Sequence, residues 1–152
     1  MQALHLLAIG RLGRAPEAAL VGRYAERLSL RLTELPDGTG SPAEIKRREA
    51  DAILAALPPR AFLVALDLAG STPDSAGLAA LLLRWQDSGR PVCFVIGGAE
   101  GLEARVIGRA DAVLSLGRLT WPHALVRVML AEQLYRARAI AAGHPYHRAG
   151  RP

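Results

Sequence analysis

Residues 92–127 constrain the fold more strongly than any other part of the chain. They contain two short apolar runs, Val92–Ile96 and residues 112–116, which lead directly into Gly97 and Gly117. Short apolar runs of this kind are typical of strands that are buried on both faces of a parallel sheet. Open α/β sheets bind their ligands at the carboxyl edge of the strands. We therefore expect both glycine loops to lie at one sheet edge and to form the functional site.

The remainder of the chain alternates predicted strands and helices. Further strands are predicted at residues 2–9, 32–35 and 61–66, and the last of these leads into a third candidate edge loop, residues 67–70. Ser41 with Glu44 is typical of a capped helix start. Helices between the strands leave enough chain for parallel crossovers. We predict an α/β fold in which a mostly parallel sheet is flanked by helices, formed by one domain over residues 1–152.

The last predicted helix, about residues 122–142, is apolar around most of its circumference. A helix of this kind must be buried. In a chain of 152 residues, burial of a terminal helix on several sides suggests a subunit interface. We therefore expect a homodimer.

The composition excludes several classes of protein. No apolar run approaches the length of a membrane span, and the first residues do not resemble a secretion signal. Cys93 is the only cysteine, so a disulfide within the chain and a cysteine-built metal site are both excluded. We expect a cytoplasmic protein with no metal ion and no membrane partner.

The charge of the chain is strongly basic, with a formal net charge of +5 and a pI of about 10.3. Basic excess favours a polyanionic partner such as nucleic acid, because neutralising phosphates releases their counterions. Solvated arginine-rich helix faces would give the same composition. Charge alone leaves both interpretations open.

The glycine-rich segment 97–101 does not match either common phosphate-binding motif. Its glycines are spaced G-G-x-x-G after a late strand, whereas dinucleotide folds use G-x-G-x-x-G after the first strand. The phosphate-binding P-loop requires a lysine that this segment lacks. Either main-chain groups of the segment hold a ligand or it is an ordinary turn. His123 and Arg127, four residues apart beside the loop after Gly117, are candidates for contact with a ligand or phosphate.

Four segments in this order resemble the small SPOUT-family methyltransferases of large-subunit ribosomal RNA. They are LDLAG at residues 66–70, IGGAEG at 96–101, LTWPHALVRVMLAEQLYRA at 119–137 and HPYHR at 144–148. The resemblance covers nearly the whole chain. It implies an S-adenosylmethionine-dependent enzyme that methylates N3 of a pseudouridine in 23S rRNA. It also implies a homodimer without a separate RNA-binding domain, and a C-terminal deep trefoil knot, a rare exception to unknotted topology.

The resemblance also implies roles for individual residues. The three edge loops would hold the cofactor in a bent conformation, lined by Leu66, Gly98, Gly117, Arg118, Leu119, Thr120, Trp121 and Pro122. In the tail, His147 would accept the proton that leaves N3. Tyr146 and Arg148 would hold the RNA, together with His123 and Arg127, which their spacing had already made candidates. The chain departs from its relatives in a shorter loop at residues 36–41 and in Trp121, where a smaller apolar residue or Phe is usual.

A second function is compatible with the same fold and charge. The chain could be a non-catalytic module that binds the ribosome or RNA. Binding of S-adenosylmethionine distinguishes the two, because a purely structural module has no need of a methyl donor.

Overall fold

The computed structural model describes residues 3–150 and contains five strands that alternate with five helices. In chain order these are β1 (His5–Ile9), α1 (Pro16–Leu28), β2 (Arg31–Leu35), α2 (Pro42–Ala56), β3 (Phe62–Ser71), α3 (Ser75–Asp87), β4 (Val92–Ile96), α4 (Ala104–Arg109), β5 (Ala112–Leu114) and α5 (His123–Ala141). The predicted alternation is confirmed. Residue 2, at which the first strand was predicted to begin, lies outside the described residues.

The strands form one sheet in the order β2-β1-β4-β3-β5, and every neighbouring pair is parallel. All strands therefore end at the same edge. Because β4, β3 and β5 are neighbours, the segments that follow them lie next to one another along this edge. This arrangement confirms the predicted α/β class and brings the three candidate loops together.

The helices cover both faces of the sheet. On one face α1, α3 and α5 pack against alternate strand residues such as Leu6, Phe94 and Leu114. On the other face α2 and α4 pack against the intervening residues, among them Leu7 and Cys93. All five residues of β4 are buried, which accounts for its uninterrupted apolar sequence.

The apolar circumference of α5 is largely buried within the subunit. The helix packs against both α1 and α3, and Leu130 and Leu134 are fully buried in that core. The burial that the sequence led us to assign to a second subunit is thus mostly supplied by neighbouring helices. Leu125, near the start of α5, remains exposed.

Side-chain caps fix the starts of two helices at the carboxyl edge, α2 and α3. Ser41 caps α2, with its hydroxyl accepting from the Glu44 amide at 3.2 Å, and the Glu44 side chain accepts in return from the Ser41 amide. This is the predicted capping box. Helix α3 begins at Ser75 rather than at the predicted Pro73, because the Asp74 side chain accepts from the Gly77 amide at 2.7 Å and makes Asp74 the cap.

Strands β3 and β5 end at residues other than those predicted. Strand β3 continues to Ser71, and both Leu66 and Ser71 pair with Leu114 of β5. Residues 67–70 therefore form a bulge in the strand instead of a free loop. A Cβ at Gly70 would lie 2.7 Å from the Leu114 backbone, so only glycine allows this close approach. Strand β5 ends at Leu114, two residues earlier than predicted.

Candidate active site

A cavity of about 730 Å³ opens at the carboxyl edge of β3, β4 and β5. This volume lies within the range of small-molecule and cofactor sites. The cavity is lined by the end of β3 and its bulge, by the turn after β4, by the segment between β5 and α5, and by the first turn of α5: Leu66–Leu68, residues 96–102, 114–117 and 119–123, and Val126.

The structure brings together nearly all of the residues that the sequence assigned to a cofactor. Those that line the cavity are Leu66, Gly98, Gly117, Leu119, Thr120, Trp121 and Pro122. Arg118 is exposed and does not line it. The cofactor contact of each residue stays a prediction, but their shared location accords with the carboxyl-edge rule for parallel sheets.

The turn after β4 presents main-chain groups to the cavity. The Gly101 amide donates to the Gly98 carbonyl at 3.0 Å and closes the turn, and Gly101 has a φ of +78°. A Cβ at Gly98 would meet Ile9 Cγ2 at 3.0 Å and Glu49 Oε1 at 3.2 Å. Neither of these residues lines the cavity. A side chain at position 98 would therefore press on the packing behind the turn.

Glu49 supports this turn from behind. Its side chain is 4% exposed, and Oε2 accepts from the Gly38 amide at 2.8 Å. The carboxylate thus joins the β2–α2 loop to the back of the Gly98 turn. Sequence reasoning missed Glu49, because its position on α2 gives no sign of its distance from the glycine segment.

The segment after β5 is fixed by its own side chain. The Ser115 hydroxyl donates to the Gly117 carbonyl at 2.8 Å and accepts from the Gly117 amide. Gly117 adopts a φ of +114°, a conformation that favours glycine. Beyond this turn Leu119 and Trp121 are 69% and 41% exposed at the cavity mouth.

Ionisable side chains are few in the lining of the cavity. Asp67, Glu100 and His123 are the titratable residues among those described. Asp67 accepts from the Ala69 amide at 2.9 Å within the bulge. His123, the first residue of α5, lies where the sequence predicted a contact with substrate.

Arg127 does not have the predicted role in RNA binding. Its side chain is buried, pairs with Glu34 at 2.7 Å, and donates to the carbonyls of Ile9 and Gly10 at 2.7 and 2.8 Å. A guanidinium with no exposed surface cannot contact a phosphate. Arg127 instead anchors α5 to the carboxyl end of β1. His123 and Arg127 share one face of α5, as predicted. At Arg127, however, that face is buried inside the subunit.

The C-terminal tail lies on α5 of the same subunit. The Tyr146 ring meets the Tyr135 ring edge-on at 4.8 Å, and its hydroxyl donates to Glu132 at 3.1 Å. Burial, followed by a hydrogen bond with Tyr24 and then the charge of Glu132, raises the pKa of Tyr146, so the hydroxyl remains protonated. His147 Nδ1 lies 3.2 Å from Arg136 Nη1. Neither Tyr146 nor His147 lines the cavity of its own subunit.

Arg148 is exposed at the end of this tail, in a position that permits the predicted RNA contact. The residues that hold the tail, Glu132 and Arg136, were not identified from the sequence. Their four-residue spacing on a predicted helix was the available signal, since such pairs lie on one helix face.

Within residues 3–150 no group of three or more His, Cys, Asp and Glu side chains is arranged to hold a metal ion. In the same part of the chain no helix is both long and apolar enough to cross a membrane.

Comparison with known proteins identifies the family. The family described as "Predicted SPOUT methyltransferase" matches residues 2–147. The chain belongs to the SPOUT methyltransferases. It is 66% identical over 151 residues to a protein of Acidiphilium cryptum (strain JF-5) named "Ribosomal RNA large subunit methyltransferase H", covering 98% of this chain and 96% of that relative.

Solved SPOUT-like structures share the fold at low sequence identity. A probable methyltransferase from Bordetella pertussis Tohama I is 17% identical with a TM-score of 0.61, over 90% of this chain and 96% of the other. The SpoU methyltransferase AviRb from Streptomyces viridochromogenes, solved in complex with AdoMet, is 17% identical with a TM-score of 0.50, over 90% of this chain and 58% of that one.

Family membership confirms the predicted SPOUT fold and the prediction that the chain is a methyltransferase enzyme. The deep trefoil knot of the C-terminal part is implied by the same membership. In a SPOUT methyltransferase the cavity after β3, β4 and β5 is the natural candidate for the active site.

Proposed function

We propose that this SPOUT methyltransferase methylates N3 of a pseudouridine in the 23S rRNA of the large ribosomal subunit. The observation that carries the proposal is a cavity to which three adjacent carboxyl-edge segments all contribute, in a chain 66% identical to a named large-subunit rRNA methyltransferase. The strongly basic charge suits an RNA substrate. S-adenosylmethionine is the methyl donor of this enzyme, and it supplies an electrophilic methyl group.

The residues of the cavity fit S-adenosylmethionine. Leu66, Leu116 and Leu119 give apolar walls, while the glycine turns at 97–101 and at 117 leave main-chain donors and acceptors accessible. A few polar groups in a mostly apolar pocket are the usual composition of a cofactor site. Asp67 and Glu100 add negative charge near a ligand that carries a positively charged sulfur.

The protein has no need of a nucleophile of its own. Its task is to place N3 of the base in line with the methyl group, and positioning of this kind can lower a barrier by several kcal/mol. The fixed turns at Gly98 and Ser115 suit this task because hydrogen bonds hold both of them and close packing supports the first. Extrusion of the target nucleotide from its RNA loop would cost a few kcal/mol.

We further propose that the enzyme acts as a homodimer in which the tail of one subunit completes the cavity of the other. Tyr146 and His147 lie on α5 outside the cavity of their own subunit. Leu119 and Trp121 expose apolar surface at the cavity, and Leu125 exposes more near the start of α5, where a second subunit could cover it. One domain in the cytoplasm, without a separate RNA-binding domain, would suffice for this arrangement.

The proposal is tested with ribosomes from a strain that lacks the enzyme. Purified protein and S-adenosylmethionine should restore one methylated pseudouridine, located by mass spectrometry of digested 23S rRNA. Calorimetry should show binding of S-adenosylmethionine to the protein alone. Protein that binds ribosomes without binding the methyl donor would instead be the non-catalytic module.

Truncation after Gly143 provides a control for the role of the tail. The shortened enzyme should still bind S-adenosylmethionine but should no longer methylate ribosomes. Methylation at the full-length rate would contradict any catalytic or RNA-binding role of residues 144–148.

A further inference from the structure

We propose that Arg136 fixes His147 in the tautomer with its proton on Nε2, so that His147 donates a hydrogen bond to the RNA base instead of accepting its proton. The inference rests on the proposed function. It replaces the role of proton acceptor that the sequence suggested for this histidine.

Arg136 is held rigidly beside the tail. Its Nε donates to Glu132 Oε1 at 3.0 Å, and Nη2 contacts the same oxygen at 2.5 Å. Its guanidinium carbon lies 4.9 Å from the centre of the Tyr146 ring. The side chains of Arg136 and Glu132 are only about one-fifth exposed, at 20% and 19%. The guanidinium therefore has little freedom to turn away from His147.

The contact between Arg136 and His147 determines the histidine tautomer. A guanidinium has only donors and remains protonated in proteins. Across the 3.2 Å separation from Arg136 Nη1, His147 Nδ1 must therefore be the acceptor. A neutral imidazole that uses its Nδ1 lone pair carries its proton on Nε2. Nε2 then has no lone pair with which to take a proton.

A base needs a free lone pair that faces the RNA. In this contact neither ring nitrogen of His147 offers one, because Nδ1 accepts from Arg136 and Nε2 carries the proton. His147 is thus placed as a donor while the tail lies on α5.

A donor suits the chemistry at N3. The two ring carbonyls that flank N3 take up negative charge as its proton leaves. A hydrogen bond from His147 Nε2 to one of these oxygens would stabilise that charge, as donors do at other developing oxyanions. The proton from N3 passes to water or to a carboxylate that lines the cavity, Asp67 or Glu100. The N3 electron pair forms the new bond to carbon, and the bond from carbon to sulfur breaks with its electrons on sulfur.

The first test measures the tautomer without RNA. Nitrogen-15 NMR of the full-length protein with labelled histidine should show His147 with its proton on Nε2, assigned by comparison with His147→Gln. In Arg136→Met the signal should move toward a mixture of tautomers, while the thermal unfolding of the variant shows that it is folded. A proton on Nδ1 in the unaltered protein would overturn the inference.

The second test separates a donor from a base. Glutamine places an amide N–H near the position of Nε2 but cannot take up a proton. His147→Ala should lower the rate of methylation at saturating substrate by about 10²-fold, as for loss of one oxyanion donor. His147→Gln should be at least about tenfold faster than His147→Ala, because its amide restores a donor. Equal losses in the two variants would contradict a donor.

The two proposals can fail separately. If the unaltered enzyme methylates ribosomes but glutamine gives no recovery, only the donor role fails. If the unaltered enzyme leaves ribosomes unmethylated, the proposed function fails, and the tautomer measurement still stands.

Discussion

A side chain at Gly98 would press on Ile9 and Glu49, behind the turn that faces the cavity. We expect Gly98→Val to displace the turn, to weaken binding of S-adenosylmethionine at least tenfold and to lower the free energy of unfolding by about 1–3 kcal/mol, the usual cost of overpacking. Calorimetry and denaturant unfolding measure the two effects. Gly108→Ala is the matched control, because a Cβ at Gly108 meets nothing within 4 Å. Unchanged affinity in Gly98→Val would remove Gly98 from the site.

Arg127 connects three parts of the molecule through one buried guanidinium. Arg127→Ala leaves the Glu34 carboxylate and two carbonyls without this donor, and we expect it to lower the free energy of unfolding by about 3–5 kcal/mol. Arg127→Lys keeps the charge but loses the forked geometry, and it should cost less. The exposed Arg47→Ala should change stability by less than about 0.5 kcal/mol. A change equally small at Arg127 would show that its buried contacts contribute little.

At the scale of elements, Asp111 joins β3 to β5 at the edge opposite the cavity. Its carboxylate accepts from the Leu63 amide at 2.9 Å and pairs with Arg90 and Arg109 at 3.0 and 3.2 Å. Burial opposes ionisation of Asp111, but the Leu63 amide and both arginines outweigh it, so its pKa lies below the usual value. The stability that this charge contributes is therefore present above about pH 4, the usual carboxylate range, and is lost as pH falls through the depressed pKa.

We expect Asp111→Asn to lower the free energy of unfolding at pH 7 by roughly 0.5–1 kcal/mol, because its charge is partly exposed to solvent. The difference from the unaltered protein should shrink below about pH 4, where protonation of Asp111 removes the charge that distinguishes it from asparagine. Urea unfolding across this pH range tests the prediction. Asp51→Asn, which alters the exposed pair with Arg105, should show a smaller effect at every pH. A pH-independent difference at Asp111 would assign its contribution to hydrogen bonding alone.

Periodicity in the sequence predicted the elements but not all of their edges. The buried run of β4 and the capping box of α2 are local signals, and both were confirmed. The bulge at residues 67–70 depends on the distant β5 backbone, which packs against Gly70. No short-range pattern could have distinguished that bulge from a loop.

At the scale of the whole molecule, the cavity was predictable because chain order and parallel pairing determine which segments meet at the carboxyl edge. The function of particular charged residues was less predictable. Helical spacing predicts which residues share a face with Arg127, but it does not show that this face is buried against other elements. The tail motif suggested His147 as a base, and it could not show the contact with Arg136, eleven residues away, on which the proposed donor role rests.

The exposed apolar residues Leu119, Trp121 and Leu125 predict a dimer. Light scattering at micromolar concentration should give twice the subunit mass of 16.2 kDa. Leu125→Asp should shift the protein toward the monomer, because it introduces a charge into the proposed interface. Leu83→Asp, at an exposed leucine on α3, should leave the mass unchanged. A monomer of the unaltered protein would contradict the composite site formed by the tail of the partner.

The rate at which Cys93 reacts with a thiol reagent measures how often the central strand β4 opens. It is the only cysteine, it is fully buried in β4, and burial raises the pKa of its thiol to about 12. A thiol reagent can reach it only after β4 has separated from its neighbours. The labelling rate of the natural protein, with no introduced probe, therefore records how often the sheet opens at its centre.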